Sequence, residues 1–345
     1  MINKFAILGV LAASLVVMCV GFGENAEAQK ATKAATDDSA EKEESTKVDE
    51  ALLEYEAKSG ISGNIKAVGS DTLNNLMALW STGFKGFYPN VEIVVDGKGS
   101  STAPPALIDG TSDIGPMSRK MKSEEVDKFE KKFGYKPSYV AVAIDALAVY
   151  VHKDNPIESM SLKQVDAIFS KTRKGGHSEN ITKWGQVGLE GEWENLGMTL
   201  YGRNAASGTY GYFKKKACFK GDFKDAVKEQ PGSAAVIQST GTDRGAISYS
   251  GMGYKTAAVK FVKLSKKGGD SYLPTAENCY SRKYPLSRYL YIYFNRAPGK
   301  EVKPIIKEFF TYIGSKGGQT IVLNNGFVPL KQEHVDKFAK TYNSK

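Results

Sequence analysis

Two stretches of the chain are apolar almost without a break, residues 139–151 (YVAVAIDALAVYV) and 289–294 (YLYIYF). A run of this kind predicts a strand covered on both faces. Around them the pattern switches repeatedly between the strand and helix periods. Residues 64–68 (NIKAV) read as a short strand stopped at Gly69. Leu73, Leu76, Met77, Trp80, Phe84 and Phe87 then recur at helical spacing as far as Pro89. Residues 91–95 (VEIVV) form a second strand, followed by Gly97, Gly99, Ser100, Ser101 and Thr102, the pair Pro104-Pro105 and another helix start. A brief strand falls at 113–115. Beyond 151 the order repeats with different residues: a helix at 161–169, a strand at 198–201, a helix opened by Ser207, Gly208 and Thr209, a strand at 246–249 and a helix near 300–314. This alternation predicts an α/β protein with largely parallel sheets. The two long strands read as crossings between two lobes, one of residues 59–147 plus 288–345 and one of 148–287. A lobe built from separate segments implies a two-strand hinge and a cleft.

Composition and charge narrow the class. The chain has 345 residues, 41% hydrophobic and 25% charged, ordinary for a soluble globular protein of about two domains. After Lys4 no charge occurs over residues 5–23, and Ala26-Glu27-Ala28 follows. The expectation is a secretory signal cut after Ala28, in place of an uncleaved anchor, and a periplasmic protein. Residues 29–58 carry five Lys and nine Asp and Glu and read as a solvated, disordered linker. The signal holds one Lys and two Glu, so removing both segments from a formal charge of +9 leaves +14 on residues 59–345. A basic body fits an anionic ligand or surface; outside the cytoplasm nucleic acid is not the expected partner. Cys218 and Cys279 remain after cleavage, and a disulfide or two separately buried thiols fit equally. The three histidines, at 152, 177 and 334, stand at no metal-ligand spacing, and no C-x-x-C pair occurs. No metal and no cofactor is expected.

The candidate chemistry lies in one local pattern that occurs three times: a strand, a turn of small hydroxyl residues and glycine, then a helix. The turns are Gly69-Ser70-Asp71-Thr72, Gly99-Ser100-Ser101-Thr102 and Ser207-Gly208-Thr209, with Arg203 just before the third. Amides at a helix start are unpaired, and the helix dipole favours an anion there. Hydroxyls add donors, glycine allows close approach of a ligand to the backbone, and an arginine can fork onto an oxyanion. The competing readings are simple N-caps for the Ser, Thr and Asp residues and a surface ion pair for Arg203. No G-x-S-x-G elbow, no phosphate loop ending in G-K-[ST] and no His beside the serine turns is present. Donors without an activated nucleophile or base point to binding, not to an enzyme.

With these turns in place the chain resembles the periplasmic phosphate-binding proteins of ABC-type phosphate uptake. The resemblance spans nearly all of residues 62–330. It is carried by AVGSDT (67–72), GKGSSTAPPAL (97–107), SDIGPMSRKM (112–121), AIDALAVYVHKDNP (143–156), ITKWGQVG (181–188), GRNAASGTYGYF (202–213) and GAISYSGMGY (245–254). It implies a type II periplasmic-binding-protein fold, two α/β lobes closing on one dehydrated phosphate. It also implies inorganic phosphate and a membrane permease as partners of a monomer. Residue by residue, Ser70 and Thr72 match the first phosphate turn, Ser100 the second, and Arg203, Ser207, Gly208 and Thr209 the third; Ser101, next to Ser100, is a further candidate. Two positions depart from the pattern. Ser118 stands where many members have the aspartate that accepts the proton of hydrogen phosphate, and Ala205 where some have an aspartate holding the arginine. Asp71 is then the expected proton acceptor, and Arg119 a second positive group. The alternatives are a carrier of sulfate, molybdate or a phosphonate, and a secreted phosphatase using Ser70 or Ser100.

Overall fold

The computed structural model describes residues 46–343. The signal, its cleavage site and the linker as far as residue 45 lie outside the described residues. Among the described residues eleven strands are present: β1 (Gly63–Val68), β2 (Val91–Asp96), β3 (Ile114–Met117), β4 (Ser138–His152), β5 (Ser159–Ser161), β6 (Thr199–Arg203), β7 (Lys228–Gln230), β8 (Ala246–Gly251), β9 (Val259–Phe261), β10 (Lys263–Ser265) and β11 (Ser287–Phe294). The helices are α1 (Asn74–Phe87), α2 (Ala103–Ile108), α3 (Ser123–Phe133), α4 (Leu162–Phe169), α5 (Gly208–Lys216), α6 (Ser233–Thr242), α7 (Ala276–Tyr280), α8 (Pro304–Gly314), α9 (Lys316–Asn324) and α10 (Gln332–Asn343). Among the described residues no helix is long and apolar enough to cross a membrane.

The main sheet runs β2-β1-β3-β11-β4-β8-β6-β7, with β9 also on β4. The outer pairings, β1 with β2 and β3 and β6 with β7 and β8, are parallel, as the strand–helix alternation predicts. The pairings of the two long strands are antiparallel: β11 with β3 and β4, and β4 with β8 and β9. The reason is connectivity. The chain leaves the first half along β4 and returns along β11, so the two run in opposite directions side by side. At about 3.4 Å per residue the fifteen residues of β4 extend roughly 50 Å. Residues 138–146 pair with β11 and residues 147–151 with β8, so the change of partner falls between Ala146 and Leu147.

Buried side chains divide along the same strand. Val140, Val142 and Ala143 belong to a cluster with Ile65, Trp80, Phe84, Phe294 and Phe309, whereas Ala146, Leu147, Val149 and Val151 belong to one with Phe169, Trp184, Phe213 and Tyr249. Smaller clusters cover the opposite faces, around Phe129 and Met117 in one half and Tyr150 and Ile237 in the other. Helices therefore cover both faces of β4, which is why twelve successive residues of it are buried. Leu73, Leu76, Met77, Trp80 and Phe84 form the buried stripe of the first helix, and Trp80 Nε1 donates to the Gly318 carbonyl at 2.9 Å. Phe87 lies at the edge of the stripe, 45% exposed, with the Tyr55 ring against it.

Tyr55 marks a correction. Residues 49–58 were expected to be solvated linker, yet they pack on the body. Leu52 is buried, Asp49 Oδ2 accepts from Gln332 N at 2.9 Å, and the Tyr55 hydroxyl lies 2.7 Å from that of Tyr88. Lys58 Nζ meets the buried Glu308 carboxylate at 2.7 Å. The charges at this end of the acidic segment find partners on α8 and at the start of α10, and its aromatic ring finds an aromatic face, so it binds where composition alone reads solvation. Cys218 and Cys279 are two separate buried thiols; burial pushes both up, Cys279 to about 12.

Candidate ligand-binding site

Each of the three turns leaves the carboxyl end of a parallel strand: β1 into residues 69–73, β2 into 97–102, β6 into 204–207. Ligand crevices of open α/β sheets lie at such strand ends. The first two turns enter their helices through single 3-10 turns, Asp71–Leu73 and Ser100–Thr102, because Ser, Asp and Thr favour turn geometry over helix interior. Ser207 is the N-cap of α5, and its Oγ accepts from the amides of Thr209 at 3.1 Å and Tyr210 at 3.4 Å. The cap reading thus holds for Ser207, and those two amides are satisfied within the helix start instead of standing unpaired.

The turns converge although they are far apart in sequence. Gly99 N donates to the Gly69 carbonyl at 2.7 Å, and Ser101 N to the Ala206 carbonyl at 3.1 Å. Thr72 Oγ1 lies 2.9 Å from Thr209 Oγ1. Ser118, at the end of β3, donates its amide to Ser100 Oγ at 3.0 Å, and the two hydroxyls are 3.2 Å apart. Gly208 faces both serines: a Cβ there would collide with Ser100 Oγ and Ser118 Oγ. At Gly99, with φ of 125°, a Cβ would come within 2.7 Å of the Ala206 carbonyl oxygen. Only glycine lets these backbones approach. Ser70, Thr72, Ser100, Ser118, Ser207 and Thr209 are all buried.

Arg203 is buried beside them. Its Nη1 donates to Ser233 Oγ at 2.7 Å and pairs with Asp71 Oδ2 at 2.9 Å, and its Nη2 donates to the Pro231 carbonyl at 3.0 Å. Burial lowers its affinity for the proton, and the Asp71 charge opposes that. The surface-pair reading of Arg203 therefore fails. Asp71 Oδ2 also accepts from the backbone and hydroxyl of Ser233, each at 2.9 Å. All three contacts fall on one oxygen, so Asp71 holds Arg203 in place through Oδ2, the task left open by Ala205, and its Oδ1 takes no part in them. Arg119 is engaged by a neighbouring carboxylate. Its two Nη atoms fork onto Glu125 at 2.7 Å each, with Nη2 also 3.2 Å from Ser101 Oγ. Glu125 stands in the first turn of α3, where it caps Lys122 N at 2.8 Å, and this anchored carboxylate takes both ends of the guanidinium fork.

Four residues of the cluster escaped the sequence reading. Asp145 and Arg288 are cross-strand partners on β4 and β11, and Arg288 Nε and Nη2 both reach Asp145 Oδ2, at 3.0 and 2.7 Å. Arg288 Nη2 continues to Thr209 Oγ1 at 2.9 Å. The Tyr254 hydroxyl donates to the Asp71 and Thr72 carbonyls at 3.1 and 3.2 Å, and Ser233 completes the hold on Asp71. A lone carboxylate within the apolar run 139–151 is the signal that could have found Asp145, since a buried charge must be paired. Arg203 Nε and Arg288 Nη1 are buried and have no hydrogen-bond partner among the described residues. Both are cationic donors, so the cluster suits an anion. Among the described residues no group of three or more His, Cys, Asp and Glu is placed to hold a metal.

Comparison with known proteins agrees with this architecture. A family model described as the PBP superfamily domain matches residues 30–316. The phosphate-binding protein PstS of Pseudomonas aeruginosa is 52% identical over 294 residues, covering 85% of this chain and 91% of that protein. A putative phosphate ABC transporter substrate-binding protein with bound phosphate from Clostridium perfringens superposes with a TM-score of 0.67 at 25% identity, over 78% of this chain and all of that one. An ABC-type phosphate transport receptor from Vibrio cholerae shares the fold, with a TM-score of 0.60 at 21% identity over 77% of this chain and all of that one. The chain belongs to the PBP superfamily and, within it, to the PstS family of phosphate-binding proteins.

Proposed function

We propose that the protein captures inorganic phosphate between two lobes and delivers it to the membrane permease of an ABC transporter. The observation that carries the reading is the meeting of the three hydroxyl turns around two buried arginines, each with a guanidinium N–H that has no hydrogen-bond partner among the described residues. Ser70, Thr72, Ser100, Ser118 and Gly208 supply short donors, the Thr209 hydroxyl orients that of Thr72, and Arg203 supplies the charge. Ser101 and Arg119 stand beside them, Arg119 turned onto Glu125, and Ser207 builds the helix start. The lobes are residues 59–147 plus 288–345 and residues 148–287, and they close about β4 and β11. The protein acts in the periplasm as a monomer, after a signal is removed behind Ala28, and performs no turnover.

Binding in the micromolar range requires about −8 kcal/mol. Charge-assisted bonds from an arginine and several hydroxyls in a water-excluded site supply that order of energy once desolvation is counted. Phosphate near neutral pH carries a proton and sulfate does not. Asp71 Oδ1, which makes none of the contacts to Arg203 and Ser233, and the Ser118 and Ser100 hydroxyls are the oxygens available to accept this proton. Titration calorimetry of the purified protein tests the reading. Phosphate should bind in the micromolar range or tighter and sulfate more weakly; equal binding would leave a general oxyanion carrier, and no binding of either would reject the function.

A further inference from the structure

We propose that Arg288 is a positioning residue of the oxyanion site: it fixes the direction of the Thr209 hydroxyl from the strand crossing, and phosphate affinity depends on it. The inference rests on the phosphate reading above. The side chain of Arg288 is 3% exposed and that of Asp145 is fully buried. Arg288 Nη2 is shared between Asp145 Oδ2 and Thr209 Oγ1. A guanidinium only donates, so Thr209 Oγ1 must accept from it, and the proton of Thr209 is directed elsewhere. Thr72 Oγ1, 2.9 Å away, is the next oxygen in line. Arg288 thus polarises a row of hydroxyls that runs from the strand crossing through α5 to the turn after β1, and such rows strengthen cooperatively.

Position supports the role. Asp145 and Arg288 are paired one step from the end of the β4–β11 ladder, at Ala146 and Ser287, and β4 turns to its β8 partner at Leu147. Asp145 Oδ1 accepts from Met252 N, just beyond β8, at 3.1 Å. The Tyr212 ring lies 5.3 Å from Arg288 Cζ, and its hydroxyl donates to the Ser287 carbonyl at 2.7 Å. The pair is therefore fastened to β4, β11, the turn after β8 and α5 at once. Arg288 is also close enough to Arg203 for its charge to oppose protonation there, so an anion near both relieves two buried cations together.

The test is calorimetry of the full chain with inorganic phosphate. Arg288→Lys keeps a cation against Asp145 but lacks the fork that reaches Thr209 as well. It should weaken phosphate about tenfold or more, as should Thr209→Val. The double variant should be no weaker than the weaker single, because both remove one bond. Affinity of R288K within twofold of the unaltered protein, or losses that multiply in the double variant, would overturn the proposal. A lowered Tm with unchanged Kd would do the same, since it assigns the pair to the fold alone. Asp145→Asn with Arg288→Gln removes the buried charges together and decides the matter if R288K does not fold: phosphate weakened about tenfold supports the proposal, unchanged affinity refutes it. Failure of the unaltered protein to bind phosphate would strike the phosphate reading instead.

Discussion

The cluster contains two arginine–aspartate pairs, and they are built differently. Arg288 and Asp145 face each other across neighbouring strands, inside a ladder that fixes their separation, and both side chains are excluded from water. Arg203 and Asp71 come from the end of β6 and the turn after β1, share no ladder, and meet with the Asp71 side chain 22% exposed. The first pair is part of the frame. The second bridges the first turn and the region around α6, so it exists only while those segments are in contact. A buried pair of the first kind adds little net stability but costs heavily when one partner is removed. In the second pair Arg203 is as buried as Arg288 and only Asp71 meets water, so the pair ties the fold less tightly and matters more to whatever Arg203 touches.

Substitutions separate the two. The largest effect is expected from Arg203→Met, which removes the charge and leaves Asp71 and Ser233 without their donor. Phosphate affinity should fall by about a hundred- to a thousandfold in calorimetry, on the scale of 3–5 kcal/mol for breaking a buried pair. Unchanged affinity would remove Arg203 from the site. Next come the matched changes Asp145→Asn and Asp71→Asn. The first strands the Arg288 charge and should lower unfolding free energy in urea by about 3–5 kcal/mol. The second also strands a buried guanidinium, but at a place that water reaches through the partly exposed Asp71, so it should cost less, about 1–3 kcal/mol, and weaken phosphate measurably, because Arg203 loses its anchor. Equal stability losses would erase the distinction between frame and bridge. Smaller still is Ser207→Ala, expected to remove about 1 kcal/mol through loss of the α5 cap; a neutral result would mean that Gly208 and Thr209 hold the helix start without it.

The smallest expected effect lies outside the site and serves as its control. Lys224 Nζ donates to the Ala167 and Ile181 carbonyls at 2.8 Å each, and burial lowers it from 10.5 to about 8. Between about pH 8 and 10.5 the unfolded chain keeps this proton while the folded chain has released it, so stability attributable to Lys224 rises with pH across that window. Lys224→Met should flatten that rise and leave phosphate affinity alone. A slope identical in the variant would show that another group titrates there.

What could be read before folding and what could not follows from how far apart the partners are. Ser70, Thr72, Ser100, Arg203, Gly208 and Thr209 lie in local strand–turn–helix patterns, and local patterns are visible in sequence. Ser118 is named by its place in the same resemblance. Asp145 and Arg288 are 143 residues apart, hidden at the edge of or inside apolar runs that read as core. Tyr254 and Ser233 likewise reach Asp71 only through packing, at separations of more than 160 residues. The protein partners of Asp71 and Arg119 were not legible for one reason: Arg203 with Ser233 for one and Glu125 for the other are partners that no spacing announces.

By itself, the amino-acid order determined the alternation of strands and helices, the two long apolar crossings and the three hydroxyl turns, because each follows from periodicity or from turn chemistry over a few residues. Only the tertiary structure decided that the long strands run antiparallel, that residues 49–58 pack on the body, and which carboxylate meets which guanidinium. Those outcomes depend on register and on burial. A cross-strand step sets Asp145 against Arg288, and the exclusion of water compels every charge brought inside to find a partner.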